Sequence, residues 1–355
     1  MRAARFYGAG DVRIDDVEPA AIGPADVRVD VAACGICGTD VHEYEHAEYT
    51  PADPNPRSGA SRPITIGHEF GGTVSEVGDD VTGVEVGNSV AVHPNIPCND
   101  CRYCEDGAYN RCEDVLAVGL QTGEGGFAES AVIPAGQIHR LPQGVPAWQG
   151  ALVEPLAVGL HAVRRSELCA GETAAVFGCG PIGLTVVHAL RDAGAKRIFA
   201  SEPNPVRREV ALELGADVAV DPTESDAGEQ IATATDGGVD TSFEFAGVAP
   251  AVNAAIESTR RGGCLTVGSM TSGTTSVALQ KVVTGERTIR GTYCYGFPPL
   301  SFRTEFDAVI ESLADGDVDV DTFVTRRIRL DNLVEKGIEE LASPDTDHVK
   351  ILVEP

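Results

Sequence analysis

The chain has 355 residues, with 54 Asp and Glu against 27 Lys and Arg and a formal net charge of -27. That length holds two domains with full cores at about 150 residues per domain, and so acidic a surface excludes nucleic acid and anionic membranes as partners. No run approaches the roughly 18 apolar residues of a membrane span, and residues 1–12 carry no apolar segment behind basic ones, so a soluble, cytoplasmic protein is expected.

Only four of the basic residues are lysines, Lys196, Lys281, Lys336 and Lys350, and the acidic ones are spread over 79–80, 224–226, 315–321 and 345–347. Spread charge is a solvated face, which repels itself in dilute buffer and is screened at molar salt, where the Debye length is about 3 Å. This balance predicts adaptation to a salt-rich, halophilic cytoplasm. Ten cysteines without a secretory signal predict thiolates, metal ligands and buried thiols, not a disulfide framework.

In chain order, segments 11–17, 26–33, 71–77 and 87–92 alternate Val and Ile with polar residues between Gly and Pro, the pattern of a β-rich, partly barrel-like domain. The stretch Cys34-Gly-Ile-Cys37-Gly-Thr39-Asp-Val-His42 follows the second of these and is expected as a Gly-punctuated turn. It places a thiolate, a hydroxyl and an imidazole within six positions, a metal ligand at Cys37 and a proton path at Thr39 and His42. Residues 46–63 are polar, Pro-rich and without period, a surface loop of the kind that shapes access to a site. Next come His68 and Glu69, and later Glu154 in a Pro-bounded turn. Cys, His and carboxylate are the donors of an open, catalytic zinc site. Neighbours on a strand face opposite ways, so the expected ligands are Cys37, His68 and Glu154, with Glu69 behind them or as an exchanging ligand.

Cys98, Cys101, Cys104 and Cys112 form the strongest local signal. Gaps of two, two and seven residues let one loop offer four thiolates at about 2.3 Å, a closed and therefore structural zinc site. Residues 115–141 return to β, and 147–165 turn helical, with a domain linker at about Pro155.

Residues 172–194 read strand, Gly-rich turn, helix. Gly178 allows a tight turn, Gly180 lets the backbone approach a pyrophosphate, and Gly183 lets the helix pack on the strand; Pro181 and Ile182 open that helix. The next strand, 197–201, ends in Glu202, placed to accept from a ribose 2′-OH. Helix 205–214 behind Asn204, strand 217–220, helix 224–235, strand 241–245, helix 249–259 and strand 264–267 continue the alternation. The fold class is α/β, a doubly wound parallel sheet beside a β-rich domain. From about residue 297 a helix at 303–314, a strand at 324–330, a helix at 333–341 and a strand at 350–353 are expected to return to the first domain.

With these motifs, the segments 34–44, 46–63, 67–70, 150–155, 176–183 and 349–353 resemble the zinc-dependent medium-chain dehydrogenase/reductase superfamily over essentially the whole length, most of all its 2,3-butanediol dehydrogenases. The resemblance implies a GroES-like catalytic domain at 1–155 with a structural zinc lobe at 98–112, an NAD-binding Rossmann domain at 156–296 and a C-terminal return at 297–355. It implies NAD, two Zn²⁺ per chain, a catalytic zinc on Cys37, His68 and Glu154 with Glu69 beside it, a proton relay through Thr39 and His42, and Arg207 against the adenosine ribose. It also implies a homodimer or homotetramer acting on a small alcohol or diol. Threonine 3-dehydrogenases and polyol or sugar dehydrogenases share nearly all of these motifs, and a zinc-bearing nucleotide-binding protein without turnover is the competing class.

Overall fold

The valines that alternate through residues 26–33 lie in a ten-residue strand, Asp26–Gly35, in which Val27, Val29 and Val31 face the core and Asp30 faces solvent. In the computed structural model, which describes residues 1–270, 273–296, 303–343 and 346–355, this strand is the centre of the first of two units, Met1–Glu154 with Pro299–Pro355. It pairs antiparallel with Glu69–Val77, with Ser130–Pro134 and with the C-terminal strand Lys350–Glu354, setting Gly35 opposite both Glu69 and Leu352. Ser89–Val92 and Ile138–Arg140 extend this sheet on one side and Val324–Arg329 on the other. A smaller sheet of Asp11–Asp16, Arg2–Gly8 and Ile64–Thr65 completes the β-rich unit; the strand Arg2–Gly8 has no counterpart in the sequence reading. Phe6, Phe70, Phe127, Ile133, Ile351 and Val353 fill the core.

Two local expectations are corrected. The residues after Cys37 form a helix, Gly38–His46, not a turn. Asp40 accepts from the Cys37 backbone N–H at 2.9 Å, satisfying a donor at the helix start that a turn would leave open. Likewise Glu154 and Pro155 lie inside the helix Gly150–Ser166, neither in a turn nor in a linker. The division between the units falls there without a break in the helix, the missing proline N–H costing one backbone bond. Gly150 and Gly71 allow this helix to start against the strand: a Cβ on Gly71 would stand 2.5 Å from Gly150 Cα.

The second unit, Pro155–Pro298, holds six parallel strands in the order Val218–Val220, Arg197–Ser201, Thr173–Phe177, Val239–Glu244, Thr259–Val267, Thr288–Gly291. Helices Pro181–Asp192, Pro205–Glu213, Ala227–Ala234, Ala249–Ser258 and Leu279–Thr284 alternate with them. This is the doubly wound sheet. Helix Ala227–Ala234 begins three residues later than the sequence suggests, because Asp226 accepts from Glu229 N at 3.0 Å and fixes the start. The helix Leu279–Thr284 and the strand Thr288–Gly291 are additions; the polar, Thr-rich run before them hides their period. In the tail, Glu305–Asp315 is helical, and Val334–Ile338 is a π-turn leading into helix Glu339–Ala342. The expected crossing at residue 297 lies outside the described residues.

Candidate active site

His68 immediately precedes the strand Glu69–Val77, and the irregular backbone at Gly67, φ +98°, breaks the alternation that would send His68 and Glu69 to opposite faces. The two side chains therefore converge. Ligand atoms of Cys37, His68 and Glu69 all lie within 4.8 Å of one another. Glu154, itself buried, is outside that set. Asp40 and Glu69 are buried, and a cation meets Glu69: Lys350 donates to Glu69 Oε1 at 2.9 Å and Oε2 at 2.7 Å, and to the Ile36 carbonyl at 3.1 Å. His68 Nδ1 and Asp40 Oδ1 stand 3.6 Å apart, too far for a hydrogen bond, and neither atom has another partner. Burial alone would pull the His68 pKa down, yet Asp40 and Cys37 hold it well above its ordinary value. A site with this excess of negative donors and two buried orphan atoms fits a divalent cation, with the Asp40 carboxylate standing behind the imidazole. Thr39 Oγ1 lies 3.6 Å from Cys37 Sγ, and His42, three residues along the same helix, has Nε2 2.7 Å from Glu48.

The four cysteines of the lobe also converge, their sulfurs within 4.8 Å of one another, with Cys104 Sγ 3.6 Å from Cys101 and 3.9 Å from Cys98. None is disulfide-bonded. Backbone N–H groups of Glu113 and Cys104 pull the Cys101 thiol down to about 6, whereas burial pushes Cys104 up to about 12. Crowded sulfurs that cannot all ionise by themselves are the donor set of a tetrahedral Zn–S₄ centre.

In the second unit the three glycines of the fingerprint differ in surroundings. A Cβ on Gly178, φ +88°, would strike Ala246 at 2.6 Å, and one on Gly183 would meet the Gly178 carbonyl at 1.9 Å. One on Gly180 would meet nothing within 4 Å, so the backbone there is open to a ligand at the N-terminus of helix Pro181–Asp192, which Pro181 and Ile182 begin. Gly178, Gly180, Glu202 and Arg207 line a pocket of about 940 Å³. Glu202 is buried and accepts from Cys179 N at 2.7 Å and Asn204 N at 3.0 Å, so it also pins the Gly-rich turn.

Residues 23–143 match the family model of the alcohol dehydrogenase GroES-like domain, and residues 181–315 that of the zinc-binding dehydrogenase. The chain is 41% identical to a (R,R)-butanediol dehydrogenase of Bacillus subtilis, over 100% of both chains. It belongs to the zinc-binding alcohol dehydrogenase family. Its fold follows the crystal structure of 2R,3R-butanediol dehydrogenase from Bacillus subtilis with a TM-score of 0.91, 40% identity and coverage of 100% and 99%. It also follows a zinc-binding dehydrogenase of Sinorhizobium meliloti bound to NADP, with a TM-score of 0.89, 34% identity and the same coverage. As a family member it is an oxidoreductase that works with zinc and a nicotinamide cofactor, and the Cys37 cluster and the Gly180 pocket have the donors and the open backbone for them.

For this dehydrogenase the sequence reading missed Lys350, Asp40 and Glu43. Lys350 carried a signal, a lysine opening a final strand whose next three residues, Ile351, Leu352 and Val353, are apolar. Asp40, at the third position of a helix that follows a candidate ligand, carried another. Glu43 is buried and accepts from Tyr49 N at 2.7 Å, from Thr50 N at 2.9 Å and from Thr50 Oγ1 at 2.5 Å, which folds the start of the 47–63 loop back onto the helix.

Proposed function

We propose that this dehydrogenase interconverts 2,3-butanediol and acetoin with NAD. The observation that carries the reading is the Cys37–His68–Glu69 cluster, set in a chain alike over its whole length to a butanediol dehydrogenase. The substrate is a small vicinal diol: no Arg or Lys lies in segments 34–42 or 67–72 to receive the carboxylate of an amino acid such as threonine, and Lys350 is already held by both oxygens of Glu69. Bound zinc lowers the pKa of a substrate hydroxyl, and NAD⁺ accepts the hydride.

Cys37 and His68 hold the metal. Lys350 occupies both oxygens of Glu69 and weakens it as a donor, which leaves Glu154 as the resident carboxylate ligand and Glu69 as the exchanging one. Thr39 would accept the proton of the ionising hydroxyl as it gives up its own, which would pass by way of the nicotinamide ribose to His42 and outward to Glu48, whose side chain is 59% exposed. Cys98, Cys101, Cys104 and Cys112 hold a second, structural zinc. Gly178, Gly180, Pro181, Ile182 and Gly183 receive the pyrophosphate, and Glu202 and Arg207 the adenosine ribose. The domains are 1–155 with 297–355 for catalysis and 156–296 for NAD.

The protein is a homo-oligomer in a salt-rich cytoplasm. Ile289 on the edge strand, with Leu279 and Val283 on the preceding helix, is an apolar group left exposed, which a second copy of the chain would cover. Steady-state kinetics at 340 nm in molar salt, on the butanediol isomers, threonine, sorbitol and glucose, test the substrate. A kcat/KM for threonine or glucose tenfold above every butanediol isomer would overturn it.

A further inference from the structure

Strand Val239–Glu244 ends in a carboxylate that the Gly-rich motif does not explain. Glu244 is fully buried. Its Oε1 accepts from Ala246 N at 2.8 Å and Gly247 N at 2.7 Å, and its Oε2 from Ser269 Oγ at 2.5 Å. All three donors are neutral, and among the described residues no Lys, Arg or His meets it. With donors on both oxygens and none offered in return, Glu244 has the acceptor-only hydrogen bonding of a carboxylate, and in a low-dielectric site a carboxylate with no cation beside it acts on whatever binds above it.

Its position in the sheet says what binds there. Glu244 is in register with Phe177, the residue before Gly178, and on its other side with Val267 at the end of the next strand. Phe245 N bonds the Phe177 carbonyl at 2.8 Å, and Phe245 and Ala246 help line the dinucleotide pocket. In a doubly wound sheet the ligand crosses the carboxyl ends of the strands at the point where their order reverses. Glu202 marks the adenosine side, on the strand to one side of Thr173–Phe177. Glu244 and Ser269 lie at the ends of the strands on the other side, where the nicotinamide half of the cofactor belongs.

Resting on the reading of this pocket as a nicotinamide dinucleotide site, we propose that Glu244 is a redox-state discriminator: its buried charge favours the oxidised cofactor, whose ring is cationic, over the reduced one, whose ring is neutral. By linkage, the enzyme-bound equilibrium is biased toward NAD⁺ and alcohol, which favours reduction of the hydroxyketone on the enzyme. Ser269 and the two backbone N–H groups hold the carboxylate in place.

The test is calorimetric titration of the zinc-loaded protein with NAD⁺ and NADH, in the unsubstituted form and as Glu244→Gln. Glutamine keeps the shape: its oxygen still accepts from Ala246 and Gly247 N–H, and its amide donates to Ser269 Oγ. Only the charge is removed. The expected result is a Kd for NAD⁺ raised about tenfold, the factor that about 1.4 kcal/mol is worth, with the Kd for NADH within about twofold. Parallel weakening of both, the mark of a loop tether, or no change in either overturns the proposal. Should Glu244→Gln not fold, the unsubstituted protein decides: NAD⁺ must bind more tightly than ADP-ribose, which lacks the cationic ring, and equal or weaker binding overturns it. Failure of the unsubstituted protein to bind either dinucleotide overturns the reading of the pocket and this proposal together, whereas tight binding with an unmoved ratio overturns this proposal alone.

Discussion

Lys350→Met removes the one cation that, among the described residues, meets Glu69, and the structure sets the size of the effect. Lys350 and Glu69 are 3% and 0% exposed, and both carboxylate oxygens are bonded by the ammonium. Burial pulls the lysine pKa down, but Glu69 and Cys37 carry it above its ordinary value, so the lysine stays charged in the fold. Breaking a buried pair by deleting one partner leaves a desolvated charge and costs about 3–5 kcal/mol. In the metal-free protein K350M is therefore expected to lower unfolding free energy by about that much in urea titration. Adding Glu69→Gln to K350M removes the stranded charge and should recover most of the loss. Zinc does the same by another route, because a divalent ion beside Glu69 supplies the missing positive charge, so the penalty shrinks in zinc-loaded protein. A K350M loss under about 1 kcal/mol, or a double variant no more stable than K350M, would refute this account of the site.

Cys104→Ser should lower stability, while Cys37→Ser should abolish turnover and keep the fold; fully active protein holding fewer than two zinc ions by elemental analysis contradicts the two-site reading. NAD⁺ should exceed NADP⁺ in kcat/KM, because Glu202 repels a 2′-phosphate, and Glu202→Gln should narrow the gap; a wild-type preference for NADP⁺ would remove that role. Thermal stability should rise from low to molar KCl as the net charge of -27 is screened, and a flat or falling melting temperature is the contrary result. Burial, aided by His139 beside it, lowers His93 to about 4, so the unfolded chain takes up this proton first as pH falls. Stability present above about pH 6.5 is then lost on the way down to pH 4, by about 3 kcal/mol at the lower end; His93→Gln should flatten that part of the stability profile, and an unchanged slope would exclude His93 as its source.

What could be read in advance depended on how far apart in sequence the cooperating residues lie. The four lobe cysteines close within fifteen positions, and the dinucleotide turn with Glu202 within twenty-five, so spacing alone put their side chains together. The helix after Cys37 reads as a turn in the sequence because Gly38 suggests one, and the donor that starts the helix is satisfied by Asp40, a side chain whose part appears only once the backbone has closed around it. The same holds for His68 and Glu69, whose convergence follows from the positive φ of Gly67 and contradicts strict strand alternation.

Lys350 could not be placed at all without tertiary register. It reaches Glu69 across 281 positions, and it does so because Leu352 and Val353 pair with Gly35 and Cys34 while Gly35 pairs with Glu69 on the other side. A shift of one residue in the C-terminal strand would turn the lysine to the opposite face and leave the carboxylate beside the metal ligands without its counter-charge. The electrostatics of this site are therefore set by strand register as much as by the ligands. Insertion of one residue between Val349 and Lys350 should thus impair the Cys37 site more than the Cys98–Cys112 lobe. Zinc retention by the lobe with loss of the Cys37-site metal on mild chelation is the expected outcome, and equal loss from both would mean that the register of this strand does not govern the site.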